Sequence, residues 1–177
     1  MGTVTLITGG ARSGKSSWAL NRGNTSTGSP KIFIATAEVF DAEMQARAKN
    51  HQAQRGDEWR TIEEPFDIAL TIEKLNSGCV AIIDCCTVWL GNIWHKFNNS
   101  DIAIESNIDS LCTALENRQK EKTGEIIIVS NEVGWGIVPI DPGVRNYRDW
   151  AGKLNQKIAG IANEVYLCVA GIPVKIK

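Results

Sequence analysis

The sequence predicts an α/β fold, with a mostly parallel sheet and helices on both of its faces. Three observations predict it. Apolar, β-branched runs alternate with helix-compatible segments from one end of the 177-residue chain to the other. The first of these runs opens directly into a glycine loop, and a helix-compatible segment follows at once. Two later runs lead into Asp84 and into Asn131-Glu132. Each therefore carries polar groups to a strand's carboxyl end, where parallel sheets gather their ligand contacts.

The opening run is Val4, Leu6, Ile7 and Thr8, and the loop is Gly9-Gly10-Ala11-Arg12-Ser13-Gly14-Lys15-Ser16. It fits the pattern Gly, four residues, Gly-Lys-Ser. Glycines let successive backbone N–H groups turn inward, and the helix predicted over 17–22 points its positive end at the same anion. Lys15 adds a point charge for the β- and γ-phosphates, and the Ser16 hydroxyl can ligate Mg²⁺. An accidental glycine-rich turn would lack the strand before it and the helix after it. The fold is thus P-loop NTPase-like, and the ligand a nucleoside triphosphate.

Further along, 23–30 (GNTSTGSP) reads as an exposed turn and 31–36 as a second short strand ending at Thr36-Ala37-Glu38. Residues 41–55 hold no Gly or Pro and read as a helix that Asp41 can cap. Arg47, His51 and Arg55 share one face of it at i, i+4, i+8. Two arginines beside a histidine suit phosphate and keep the imidazole neutral, yet a solvated basic face gives the same spacing.

Residues 59–65 end in Pro65 and suit an edge strand; 68–75 read as a helix. The run Cys79-Val80-Ala81-Ile82-Ile83-Asp84 is a buried parallel strand carrying an acid, the type that holds Mg²⁺ together with the loop serine. Residues 85–97 form an apolar helix for the core or a subunit contact, with His95 structural; 102–119 form an amphipathic helix, and 120–124 a turn. A buried strand over 125–130 precedes Asn131-Glu132-Val133-Gly134-Trp135-Gly136; a helix over 147–162 and a last strand over 165–170 complete the chain.

A chain of this length suits one domain, residues 1–177. A formal charge of −1 supplies no basic field, which argues against nucleic acid as the main partner. No apolar run has the length of a membrane span, and no signal peptide fits before the first strand, so a cytoplasmic protein is expected. Cys79, Cys85, Cys86, Cys112 and Cys168 lack C-x-x-C spacing and read as buried reduced thiols rather than metal ligands or a catalytic thiol.

Together with GGARSGKS, the stretches IATAEVFDAEMQARAKNHQAQR, WRTIEEP, Asp84-Cys85, SNEVGWGIVP and RDWAGKLNQKIAGIANEVYLCVAGIPVKIK carry a more specific likeness. The chain resembles, end to end, the bifunctional adenosylcobinamide kinase/adenosylcobinamide-phosphate guanylyltransferase family of cobalamin synthesis. The resemblance implies two reactions. A nucleoside triphosphate, ATP or GTP, phosphorylates the aminopropanol hydroxyl of adenosylcobinamide. A histidine, here His51, then takes GMP from GTP as a phosphoramidate and passes it to adenosylcobinamide phosphate, giving adenosylcobinamide-GDP. The resemblance also implies nucleotide contacts at Gly9 through Ser16, Thr36, Ala37, Glu38, Gln52, Ala53, Gln54, Arg55, Glu63 and Asp84, with Lys15 catalytic and Mg²⁺ at Ser16 and Asp84. Trimers are implied, with 89–97 a candidate interface.

Two departures stand out: Lys153 where many relatives carry Arg, and Cys86 where they carry a larger apolar residue. The competing readings are a monofunctional small-metabolite kinase, which would not need His51, and a non-catalytic nucleotide sensor.

Overall fold

The computed structural model describes residues 1–38, 55–121 and 123–177. Among them the elements are β1 (Thr3–Thr8), α1 (Lys15–Thr25), β2 (Lys31–Ala35), β3 (Trp59–Glu63), α2 (Ile68–Lys74), β4 (Val80–Asp84), α3 (Cys86–Lys96), α4 (Asp101–Glu121), β5 (Glu125–Val129), α5 (Pro142–Ile161), β6 (Glu164–Val169) and β7 (Ile172–Lys175). The strands form one seven-stranded sheet in the order β3-β2-β4-β5-β1-β6-β7. Every pairing is parallel except the antiparallel β6–β7 pair.

The central strands are almost continuously apolar because both faces of the sheet are covered. Alternation sends Leu6, Ile34, Ile83 and Ile128 to one face and Ile7, Phe33, Ile82 and Ile127 to the other. On the first face Ile72 of α2, Trp89 of α3, Ile108 of α4 and Leu154 of α5 join a single core. On the second, α1 packs on β1, β4 and β5 through Ala19, with Trp18 and Leu20 beside it. The expected fold, a mostly parallel P-loop NTPase-like sheet with helices on both faces, is the observed one. Four buried cysteines and the half-buried Cys112 are all free thiols.

Several boundaries differ from expectation. The 23–30 stretch is not all exposed turn: α1 runs on to Thr25, and Gly23 is buried under Trp59, whose ring a Cβ there would meet at 2.6 Å. Trp59 Nε1 donates to Asn24 Oδ1 at 2.8 Å, tying that helix end to β3. The 120–124 turn starts late, because α4 continues to Glu121. The last long helix starts at Pro142, where Asp141 accepts from Val144 N at 2.9 Å and proline sits in the first turn.

Beyond β6, Ala170 and Gly171 both take positive φ, 51° and 83°, and turn the chain back as β7. Pro173 is tolerated there because β7 is an edge strand. α3 buries Trp89, Leu90 and Ile93 in the core, with His95 on its exposed rim. No helix among the described residues is long and apolar enough to cross a membrane.

Candidate nucleotide site

Because β1 to β5 are parallel, their carboxyl ends lie along one edge of the sheet, and several of the predicted site residues that the structure describes follow that edge. The phosphate loop leaves β1, Thr36-Ala37-Glu38 leave β2, Glu63 ends β3, and Asp84 ends β4. Two strands separate β2 from β1, so Thr36 stands about 14 Å along the edge from the loop, at about 4.8 Å per strand. Glu63 lies one strand further out and is exposed.

The loop is closed by its own glycines and by the β6–β7 hairpin. Gly9 (φ 144°) passes so near β6 that a Cβ would sit 2.3 Å from the Cys168 carbonyl oxygen. Gly14 (φ 97°) touches the hairpin turn, 3.1 Å from the Gly171 Cα by the same measure. Gly171 N donates to Ser13 O at 2.9 Å, and the Cys168 thiol donates to that same oxygen at 2.8 Å. Arg12 also takes a positive φ, 55°, which an arginine adopts only where the surrounding turn holds it.

Lys15 is buried, with Nζ donating to Gly10 O at 2.6 Å and reaching Ser13 Oγ at 3.4 Å. Burial lowers its pKa, while Cys85, Asp84 and Cys168 oppose that shift. The ammonium is thus curled over the loop it serves, close enough to Asp84 to feel its charge. Ser16 is half-buried in the first turn of α1. Ser16 and Asp84 offer oxygen donors only, the set a hard Mg²⁺ ion takes. Among the described residues no three His, Cys, Asp or Glu side chains converge as a metal site, so phosphate and water would complete the coordination of any ion there.

At the β2–β3 end the side chains mostly bind one another. Thr36 is fully buried; its hydroxyl donates to Cys85 O at 2.9 Å and accepts from Cys85 N at 2.8 Å. Asn92 of α3 donates to Thr36 O at 2.8 Å and Pro65 O at 3.0 Å, lashing the ends of β2 and β3 together. Arg55 is not on a solvated face: it is buried, its guanidinium 3.6 Å from the centre of the Phe33 ring, and Nη1 donates to Thr61 Oγ1 at 3.3 Å. Burial lowers the Arg55 pKa against the pull of Asp84. Arg47, His51, Gln52, Ala53 and Gln54 lie outside the described residues.

Burial pushes the Cys85 thiol up, and nearby Asp84 adds to it; Cys86 is pushed well up by complete burial. Both stay protonated at neutral pH, which fits buried reduced thiols rather than nucleophiles. Lys153 holds its ammonium 4.1 Å from the Trp150 ring centre.

Two features of the edge escape a reading of the sequence. One is the hairpin under the loop. The other is a polar network after β5: Glu132 Oε1 accepts from Thr8 Oγ1 at 3.0 Å and from Asn155 Nδ2 at 2.8 Å. Asn155 also accepts from Ser130 Oγ at 2.6 Å and donates to Asn131 O at 3.1 Å. The available signal was Asn155 itself, a polar residue on the buried stripe of α5 between Ala151, Leu154 and Ile158.

Comparison with known proteins accords with this arrangement. Among solved structures, the type III secretion ATPase EscN of enteropathogenic E. coli superposes with a TM-score of 0.65 at 11% identity, over 96% of this chain and 43% of that one. A prototypical type III secretion ATPase gives 0.59 at 11% identity, over 99% of this chain and 57% of that one. At such identities they share the fold alone. The bifunctional adenosylcobalamin biosynthesis protein CobP of Pseudomonas aeruginosa is 40% identical, over 97% of this chain and 96% of its own length. Its counterpart CobU of Escherichia coli K12 is 36% identical, over 97% and 98%. The family described as cobinamide kinase / cobinamide phosphate guanyltransferase matches residues 5–176. The chain belongs to that family.

Proposed function

We propose that this protein phosphorylates adenosylcobinamide with ATP or GTP and then transfers GMP from GTP to adenosylcobinamide phosphate, giving adenosylcobinamide-GDP. The full-length match to bifunctional relatives, joined to a phosphate loop with its lysine in place, carries the reading. In the kinase step the backbone N–H groups of Gly9 to Ser16 and the Lys15 ammonium hold the triphosphate and take up charge as the γ-phosphoryl group moves. Ser16 and Asp84 would hold Mg²⁺, which would supply positive charge against the negative charge of the triphosphate. The acceptor is the aminopropanol hydroxyl.

In the second reaction His51 attacks the α-phosphorus of GTP and pyrophosphate leaves. The phosphate of adenosylcobinamide phosphate then displaces the histidine, forming the new diphosphate bond. Splitting nucleotidyl transfer in two lowers each barrier. Thr36, Ala37, Glu38, Gln52, Ala53, Gln54, Arg55 and Glu63 are assigned to the nucleotide. Thr36 is fully buried, with its hydroxyl committed to Cys85, its N–H to Asp84 O and its carbonyl to Asn92, so its assignment rests on the family likeness. Both activities share the single domain 1–177, acting as a homotrimer in the cytoplasm.

Incubation with Mg²⁺ and α-labelled GTP tests the central claim. An acid-labile, base-stable label on the wild-type protein, absent from His51→Ala, is the expected result. Absence of label from the wild type while γ-phosphate transfer continues would leave a simple kinase.

A further inference from the structure

We propose that Glu132 is the base that takes the proton from the acceptor hydroxyl in the kinase step; the assignment rests on the kinase reading above. Its backbone N donates to Gly9 O at 2.9 Å, which fixes Glu132 beside the first residue of the phosphate loop. Its strand, β5, lies between the loop strand β1 and the Asp84 strand β4, so Glu132 leaves the sheet between the two groups that hold the triphosphate.

The carboxylate is anchored by one oxygen only. Oε1 takes both hydrogen bonds, from Thr8 and from the buried Asn155, and no ion pair to Glu132 is present among the described residues. Both donors are neutral, so neither compensates this charge. For a purely structural role the choice is poor: glutamine would accept the same two bonds without placing an anion beside a triphosphate. What glutamine lacks is the capacity to take a proton. Oε2, unbonded among the described residues, can supply it.

The chain that follows fits the acceptor's side of the site. Trp135, Ile137, Val138 and Ile140 are all exposed, Ile137 and Ile140 almost completely, and form an apolar segment directly after Glu132. A large, flat acceptor with an apolar face would lie there, its hydroxyl directed to the γ-phosphorus. In the step itself the hydroxyl O–H bond breaks and the proton passes to Oε2. The oxygen–γ-phosphorus bond forms, the bond from the γ-phosphorus to the β–γ bridging oxygen breaks, and that electron pair leaves with the nucleoside diphosphate. The proton then returns to water.

Glu132→Gln keeps the acceptor for Thr8 and Asn155 and removes the base. It is expected to lower kcat for γ-phosphate transfer to adenosylcobinamide by about 10²–10⁴-fold. KM for the nucleotide and labelling of the protein by α-labelled GTP should stay at wild-type values. In Glu132→Ala, added formate should restore part of the lost kinase rate, which no structural role would produce. Near-wild-type kinase rate in Glu132→Gln, equal loss of both reactions, or no formate rescue of Glu132→Ala overturns the assignment. Wild-type protein is the control: a wild type without γ-transfer removes the kinase reading itself, whereas an active wild type with an active Gln variant removes only Glu132.

Discussion

The two ends of the site edge are built by different means. At the β1 end the phosphate loop is braced from outside, by the Cys168 carbonyl against Gly9, by the hairpin turn against Gly14, and by Gly171 N and the Cys168 thiol on Ser13 O. At the β2–β3 end the groups hold each other: Thr36 on Cys85, Asn92 on Thr36 and Pro65, Arg55 on Phe33. A loop that must present N–H groups to a triphosphate gains from rigidity, since donors fixed beforehand need no rearrangement when charge moves. The other end joins strand termini to one another, and its arginine, Arg55, is shielded rather than offered to solvent.

The comparison breaks most severely at Gly9. Gly9→Ala puts a methyl group 2.3 Å from a backbone oxygen, at φ 144°, a conformation an L-residue rarely adopts. Overpacking and backbone strain together should cost about 2–5 kcal/mol in thermal unfolding, with γ-phosphate transfer abolished. Gly10, whose Cβ would meet nothing within 4 Å, is the matched control. Gly10→Ala should unfold as the wild type does.

Arg55→Ala probes the opposite end and should separate the reactions. Loss of the stacked guanidinium removes about 1–2 kcal/mol of desolvated cation–π contact. Labelling by α-labelled GTP should weaken while the γ-transfer rate holds, because the phosphate loop is braced without Arg55. Equal loss of both activities would show that the two ends behave as one unit.

The two ends also differ in how far the sequence disclosed them. The phosphate loop is a local pattern, eight consecutive residues between a strand and a helix, and Asp84 closes a five-residue apolar run; both are readable because their neighbours in space are neighbours in the chain. The same holds for the parallel sheet, which follows from alternation and continuous burial. The brace under the loop was not readable, since Cys168 and Ser13 stand 155 residues apart. Strand β7 went unread because Ala-Gly is a weaker turn signal than Asn-Gly and Pro173 argues against a strand until its edge position is known. Gly23 looked like loop because its flanking residues are polar, and only Trp59, far along the chain, explains its burial. Glu132 lay in a stretch already marked as functional, but its anchoring depends on Asn155, 23 residues later.

The smallest expected effect lies at the far side of the brace, where Glu164 of β6 joins Lys175 of β7 at 2.5 Å and Arg22 of α1 at 2.6 Å. The Lys175 hydrogen bond, then Arg22, hold the Glu164 carboxyl below its ordinary range. A carboxyl depressed on folding binds fewer protons native than unfolded. Its contribution is therefore complete above the ordinary glutamate value of about 4.3 and is lost as pH falls through the lower folded value. Glu164→Gln should flatten the acid limb of stability, by about 0.5 kcal/mol or less because the pair is partly solvated. If the hairpin braces the loop through packing and the Ser13 contacts, phosphate-loop function at neutral pH should be untouched in that variant. A parallel loss of γ-transfer would instead place these ion pairs among the supports of the loop, and the β1 end would extend to the outer edge of the sheet.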